Sequence, residues 1–204
     1  MIKADITIHT SEKEVKKRLG NLAERSGTVI SRAANRAAGT GRKVIRQETA
    51  RVYNVRQKDV SEILDSKKAT ARHPVAVLVY RDVHKNLYHF GFQSSLGPRY
   101  VVRSTRGRAD PKYVKAKVFK RGARVPLSGN PKPFVQVAKK SGKIGLFQRT
   151  SKASRAPIRG VAAPSMPQII NNKEVIARFT REVNSMFEER LVVEIDNILK
   201  GITR

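Results

Sequence analysis

The uneven distribution of charge along the chain constrains its fold more than any other feature. Residues 66–173 carry 24 basic and 2 acidic residues, residues 1–65 carry 14 and 8, and residues 174–204 carry 5 and 6. All nine prolines also lie in the middle part. Because proline interrupts helices and inner strands, we expect short strands and loops in the middle, between two helical ends. Residues 1–204 are predicted to form a single domain built from these three parts.

The net charge of the whole chain predicts an anionic partner. With 43 basic and 16 acidic residues, the chain carries +27 at pH 7. A folded protein with this charge repels itself unless a polyanion or an acidic protein neutralises it. The N-terminus has charges throughout and does not resemble a signal peptide. The longest apolar run, Val75–Tyr80, is far too short to cross a membrane, so we expect a soluble protein, made inside the cell, with no membrane partner.

Apolar residues recur at spacings of three and four in the N-terminal part, which predicts an amphipathic helix. Ser11 and Glu14 form a capping-box pattern at its start. Gly39 and Gly41 interrupt the pattern, and because glycine weakens a helix by about 1 kcal/mol relative to alanine, we expect a kink or a break there. The apolar face consists of Val15, Leu19, Leu22, Val29, Ile30, Ala33 and Ala37.

The C-terminal part carries the clearest helical pattern. It predicts a helix over Asn172–Lys200 that ends at Gly201. A shorter helix is expected over Val55–Leu64. The apolar face of the C-terminal helix consists of Ile176, Phe179, Val183, Met186, Phe187, Leu191, Ile195 and Ile198.

Alternating and β-branched residues in the middle part predict strands. In Pro74–Arg81 the residues expected on both faces of a strand are apolar, which is typical of a central strand. Leu87–Phe92 is its expected hairpin partner. Tyr113–Phe119 alternates apolar with cationic residues, which predicts a strand with one wet, cationic side. Phe134–Ala138 and Ile144–Gln148 are expected to form a second hairpin.

Two segments of the middle part lack a regular pattern. Arg99–Arg108 is too polar and Ser151–Pro167 too rich in proline for helices or strands, so both are expected to be loops or extended arms. The whole pattern predicts an α+β fold. In it, the N-terminal and C-terminal helices pack on a small twisted antiparallel sheet or partial barrel with extended basic loops.

The residue types needed for catalysis or metal binding do not occur in suitable patterns. The chain has no cysteine, which excludes disulfides and thiolate sites. His84 and His89 are five apart, which places them on opposite faces of a strand. Asp82 and Asp110 are the only acidic residues of the middle part, so paired-carboxylate catalysis would need acids from the helices. We predict no enzymatic activity, no catalytic residue, no cofactor and no metal.

The excess of cations in the middle part indicates a surface that faces a polyanion, because a merely solvated surface normally mixes both signs of charge. Composition does not decide whether the polyanion is DNA, RNA or an acidic protein. Aromatic residues make up only 6% of the chain, which argues against recognition of individual bases. The predicted polyanion-facing residues are Lys115, Lys117, Lys120, Arg121 and Arg124, followed by Arg103, Arg106 and Arg108.

Two blocks of sequence carry a family resemblance. Arg32–Leu64 contains an Ala/Asn/Arg-rich helical pattern, a Thr/Ala/Arg-rich helical pattern and the turn Tyr-x-Val-x-Gln-Lys-Asp-Val, formed by Tyr53, Val55, Gln57, Lys58, Asp59 and Val60. Ile144–Ile170 contains further motif residues, which are Gly145, Phe147, Arg149, Pro157, Ile158, Pro164, Ser165, Pro167 and Gln168. Both blocks, followed by a long terminal helix, resemble the bacteriophage and prophage minor tail protein Z family.

The resemblance implies a structural protein of the virion with no catalytic residues. It implies a minor tail or tail-completion component at the head-proximal neck of the tail, assembled in the cytoplasm of the bacterial host. Copies are expected to form a homo-oligomeric ring, taken as a hexamer. The expected partners are other tail and neck proteins, and double-stranded DNA through nonspecific contacts.

The proline-rich end of the second block is predicted to be an assembly arm that docks on a neighbouring subunit, because prolines lower the entropy lost on docking. Its residues are Pro157, Ile158, Pro164, Ser165, Pro167 and Gln168. The alternative for this segment is a surface loop packed on its own domain. The alternative for the whole chain is a nonspecific nucleic-acid-binding protein, in which the basic middle part is the entire function; a nuclease is disfavoured by the scarcity of acids.

Overall fold

The computed structural model describes residues 12–61, 64–80, 86–90, 115–127, 129–131, 133–137, 144–151 and 157–201. The predicted capping residue Ser11 and the predicted loop Arg99–Arg108 lie outside these residues. The described residues form two compact units. Unit 1 consists of Met1–Thr49, Gln57–Asp82 and Ile170–Arg204, and unit 2 consists of Ala50–Arg56 and Val83–Ile169.

Helices occur at both ends of the described chain, as predicted. At the ends lie α1 (Glu12–Leu19), a 3-10 helix (Gly20–Arg25), α2 (Ser26–Val52), α3 (Gln57–Ser61) and α5 (Lys173–Leu199). The middle part adds a second 3-10 helix (Leu87–His89) and the short helix α4 (Met166–Ile170). Helix α3 confirms the short helix expected within Val55–Leu64.

The described strands form three separate antiparallel sheets. Strand β1 (Leu64–Lys67) pairs with β2 (Val77–Tyr80), β3 (Lys115–Ala116) pairs with β4 (Val125–Pro126), and β6 (Ile144–Arg149) lies between β5 (Phe134–Val137) and β7 (Ile158–Gly160). Helices combined with small antiparallel sheets confirm the α+β fold. The strands are divided among three small sheets, and none of these closes into a barrel.

Helix α5 buries one continuous apolar face in unit 1, which confirms the strongest helical pattern of the sequence. Ile176 and Met186 are half-buried rather than buried. At its start, the Asn172 side chain accepts a hydrogen bond from the backbone N–H of Glu174 at 2.9 Å. At its end, Gly201 adopts a φ of 65°, which terminates the helix. The buried residues are Val175, Phe179, Val183, Phe187, Leu191, Ile195 and Ile198.

Helix α2 runs without interruption through Gly39 and Gly41, so the expected kink or break was wrong. The physical reason is tertiary: α5 packs directly on α2 at Gly41, and burial of the two helices against each other offsets the weak helical propensity of glycine. The interruption occurs earlier, at Gly20, whose φ of 53° lies where α1 gives way to the 3-10 helix.

Strand β2 lies in a two-stranded sheet, so the prediction of a central strand over Pro74–Arg81 was wrong. Val75 and Val77 are 67% and 39% exposed. The expected partner Leu87–Phe92 was also wrong, because residues 87–89 form a 3-10 helix and β2 pairs with β1. The sequence of β1, Leu-Asp-Ser-Lys, has no apolar alternation that would have identified it as the partner.

Unit 2 contains the predicted hairpin between β5 and β6, which is confirmed by the pairing of Phe134 with Phe147. The expectation that Ser151–Pro167 forms no regular element was wrong. Residues of this segment form β7, which pairs with β6 through Gly160 and Phe147, and α4 begins at Met166. Proline-flanked residues can pair at the edge of a sheet, where half of the backbone groups need no partner.

Candidate polyanion-facing surface

Residues 115–126, called the basic hairpin below, hold the first group of predicted cations. Strands β3 and β4 pair through Lys115 with Pro126 and Ala116 with Val125. The turn between them includes Gly122, whose φ of 96° is a conformation that favours glycine. Of the strand predicted over Tyr113–Phe119, the described residues show a strand at Lys115–Ala116 and a bridge between Phe119 and Tyr53.

Backbone and ring contacts fasten the basic hairpin to the residues around Tyr53 within unit 2. The N–H of Asn54 donates to the carbonyl of Val118 at 2.8 Å, and the N–H of Lys120 donates to the carbonyl of Val52 at 2.9 Å. The rings of Tyr53 and Phe119 lie 4.9 Å apart between centroids. Two backbone hydrogen bonds and an aromatic pair therefore hold the basic hairpin against residues 52–54. Tyr53, which forms the aromatic pair, belongs to the first family motif.

Among the described residues, the five cations of the basic hairpin have no ion-pair partner. The side chains of Lys115, Lys120, Arg121 and Arg124 are exposed, and Lys117 is half-buried. No carboxylate of the described residues lies within ion-pair distance of any of them. Clustered cations without counter-charges produce a positive potential that attracts anions. The structure therefore brings these five predicted residues together on one hairpin; Arg103, Arg106 and Arg108 lie outside the described residues.

Apolar side chains are exposed among these cations, a feature that the sequence analysis did not single out. Phe119 is 50% exposed and Val125 is 64% exposed. Exposed aromatic and aliphatic groups beside cations are typical of surfaces that bind a partner rather than of surfaces that only face water.

The predicted assembly arm packs on its own unit in this structure. The backbone N–H of Ser165 donates to Oε1 of Gln168 at 2.9 Å, and the N–H of Ile169 donates to the carbonyl of Ser165 at 3.0 Å. This is half of a capping box, with Ser165 as the N-cap of α4. The Ser-x-x-Gln spacing is typical of a helix start, although the prolines around it favoured a loop.

The arm residues divide by exposure. Pro157, Ile158, Pro164 and Gln168 are exposed, whereas Ser165 and Pro167 are buried. The part that could meet a neighbour is therefore the start of the segment, where β7 lies at the edge of the three-stranded sheet. The part that follows anchors α4.

Within the described residues, no group of three or more His, Cys, Asp or Glu side chains could hold a metal ion. No helix of that part of the chain is both long and apolar enough to span a membrane. In the described part of unit 2, the basic hairpin and the edge strand β7 both offer a surface to a partner.

Comparison with known proteins identifies the family. The family model described as prophage minor tail protein Z (GPZ) matches residues 13–204, which is nearly the whole chain and includes both motif blocks. The chain matches no curated protein and no solved structure at a significant level. The chain therefore belongs to the prophage minor tail protein Z family and is a structural component of the phage tail.

Proposed function

We propose that this tail protein completes the tail at its head-proximal end, where its copies form a ring and the basic hairpin faces the DNA channel. The observation that carries the proposal is the set of five unpaired cations on a hairpin fastened to Tyr53 by backbone and ring contacts. A positively charged surface that lines the channel attracts DNA without recognising its sequence. The proposed role is assembly and DNA retention, without catalysis.

Charge also bears on how the ring would assemble. Each subunit carries +27, so copies repel one another unless salt, DNA or acidic neighbours screen the charge. The ring is therefore proposed to form on the tail, beside acidic partners, and not from free subunits at low salt. Native mass spectrometry of purified protein tests this: we expect monomers at low salt, and a stable ring of free subunits there would contradict the proposed order of assembly.

The start of the arm segment is proposed as a contact between subunits. Ile158 is 41% exposed and lies on the edge strand β7. An edge strand has unpaired backbone groups that can pair with another chain. An Ile158→Asp substitution should leave the purified protein folded and reduce its incorporation into tails; normal incorporation would argue against this contact.

The main test removes the charge of the hairpin. Five substitutions, K115Q, K117Q, K120Q, R121Q and R124Q, are compared with five that lower the net charge equally on exposed cations of α1 and the ends of α5: K13Q, K17Q, R18Q, K173Q and K200Q. We expect tails to form with both proteins. Virions with the hairpin variant should fail to hold or deliver DNA, whereas the control should remain infectious. Unchanged infectivity of the hairpin variant, or an equal loss in the control, would contradict the proposal.

A salt titration separates this proposal from a stand-alone nucleic-acid-binding protein. Logarithmic affinity for duplex DNA falls by about 0.9 per phosphate contacted for each logarithmic unit of salt. A tail component that meets DNA only after assembly should bind weakly alone at physiological salt. Tight binding of the purified protein under those conditions would favour the alternative function.

Gold-labelled antibodies on intact virions test the position of the protein in the tail, with label expected at the junction of head and tail.

A further inference from the structure

A cavity of about 280 Å³ opens beside α2 in unit 1. Its lining includes three cations from neighbouring turns of one helix, together with a glycine of the same helix and the last residue of α3. These residues are Gly39, Arg42, Lys43, Arg46 and Ser61. Arg46 follows Arg42 by four residues and Lys43 by three, and both spacings place side chains side by side on a helix.

The cations of this cavity are poorly satisfied by the chain itself. Arg42 donates one hydrogen bond to Oγ of Ser66 at 3.3 Å. Lys43 and Arg46 form no hydrogen bond or ion pair with any described residue. The Nε atom of Arg46 is buried and has no acceptor in the described part of the chain. A buried donor without an acceptor costs free energy, so the guanidinium of Arg46 has hydrogen-bonding capacity that an oxyanion in the cavity would help to satisfy.

We infer that this cavity binds a carboxylate side chain, Asp or Glu, presented by a neighbouring virion protein. Arginine and lysine bind both carboxylates and phosphates, so geometry has to decide between them. The phosphates of a DNA duplex lie on the surface of a stiff rod and fit an open cationic face better than a recess. An acidic side chain extends from its backbone and can enter the cavity, where it meets the side chains of Arg42, Lys43 and Arg46 that line it. The inference concerns unit 1 and does not depend on the basic hairpin.

Gly39 leaves room at the rim of the cavity. Beyond the backbone of its own helix and its chain neighbours, no atom of the described residues lies within 4 Å of the position that a β-carbon would take there. An incoming side chain can therefore approach along the helix backbone. The same space also allows Gly39 to be replaced by glutamate, whose carboxylate would then lie beside the cavity.

The first experiment uses glutarate as a probe for the acidic side chain. The Nε–Hε NMR signal of Arg46 is followed in the full-length protein, and a saturable shift is expected. Affinities of the variants are measured by isothermal titration calorimetry, and R46Q should weaken the affinity for glutarate by about tenfold or more. K17Q, an exposed cation of α1, should change it by less than about twofold. An unaffected R46Q affinity, or no saturable shift of Arg46, would overturn the inference.

The second experiment does not depend on the folding of an arginine variant. G39E places a carboxylate at the rim, and G39Q has the same length without charge. G39E should lose glutarate affinity by about tenfold or more, because its own side chain competes, whereas G39Q should bind nearly as the parent protein does. Equal binding by G39E and G39Q would overturn the inference.

Two further measurements separate carboxylate from phosphate and this inference from the proposed function. The inference of a carboxylate ligand would be overturned in favour of phosphate by either of two results. Inorganic phosphate would bind at Arg46 more tightly than glutarate, or a short DNA duplex would displace glutarate from Arg46. The five-fold Gln variant of the basic hairpin should keep its affinity for glutarate. Loss of glutarate binding in that variant would show that the cavity is not an independent site.

Discussion

The Cε2 atom of Phe179 lies 2.6 Å from the position that a β-carbon would occupy on Gly41, and Cγ2 of Val183 lies 3.0 Å from it. These distances are shorter than ordinary carbon contacts, so α5 packs on bare backbone of α2 at this point. Gly39, two residues earlier in the same helix, has no neighbour within 4 Å of the same position. The two glycines therefore have different physical roles.

A Gly41→Ala substitution should destabilise the protein. The added methyl group overlaps the Phe179 ring, and overpacking of a filled core costs about 1–3 kcal/mol, which exceeds the gain in helical propensity. The free energy of unfolding, measured in urea, should fall by about this amount.

Gly39→Ala is the matched control and should act in the opposite direction. The new methyl group meets open space, and alanine stabilises a helix by about 0.5–1 kcal/mol relative to glycine. If both substitutions changed the free energy of unfolding equally, the close packing of α5 on Gly41 would not exist in solution.

An Asn86→Ala substitution should destabilise unit 2 by about 2 kcal/mol. The Asn86 amide donates to the carbonyl of Leu146 at 2.8 Å, and Oδ1 accepts from the N–H of Leu146 at 2.8 Å. Leu146 is fully buried, so its N–H would lose its acceptor away from water. Chemical denaturation measures the loss. Gln136→Ala, at an exposed position of β5, should have little effect, and a similar loss there would contradict the role of Asn86.

Stability at alkaline pH should depend on Tyr80. Burial raises the pKa of the Tyr80 hydroxyl above its ordinary value, and the neighbouring Arg42 offsets part of this. The unfolded chain therefore loses the Tyr80 proton at lower pH than the folded chain does. The contribution of the protonated Tyr80 hydroxyl to the free energy of unfolding is complete below about pH 10. It is lost as pH rises further, by up to about 1.4 kcal/mol per pH unit.

Tyr80→Phe isolates this effect, because other groups titrate equally in both proteins. The difference in unfolding free energy between the parent and the variant should be constant below about pH 9 and should shift in favour of the variant above pH 10. At pH 7 the variant should be as stable as the parent or slightly more so, since the Tyr80 hydroxyl is buried and finds no hydrogen-bond partner among the residues that the structure describes. A constant difference up to pH 12 would contradict the burial of this hydroxyl.

The ring contact between Tyr53 and Phe119 should control the rigidity of the basic hairpin. Phe119→Ala removes an aromatic pair worth about 0.5–1.5 kcal/mol beyond its buried area. Hydrogen exchange of the Asn54 and Lys120 amides, which bond across this junction, should accelerate by about tenfold. Val125→Ala, at a more exposed position of the same hairpin, is the control and should leave both rates nearly unchanged.

Local signals in the sequence were sufficient for the elements whose stability is mainly their own. The periodic apolar face of α5, its Asn172 cap and its terminal Gly201 act within a few residues, so the sequence alone determined this helix and its boundaries. The cationic content of the basic hairpin was likewise readable, because charge is a property of composition. The Ser165 and Gln168 capping box was also encoded locally, although the prolines around it concealed it.

Only the tertiary structure decided the features that depend on partners distant in sequence. Gly41 is a weak point in an isolated helix and becomes a packing site only when Phe179 lies against it. The polar strand β1 became the partner of β2 because the connecting loop is held to α2, where the Asn35 amide donates to the carbonyl of Ala69 at 3.0 Å and accepts from its N–H at 2.8 Å. A sequence pattern records what each residue prefers with its neighbours in the chain. Pairing and close packing depend on free energies shared between residues that only the fold brings together.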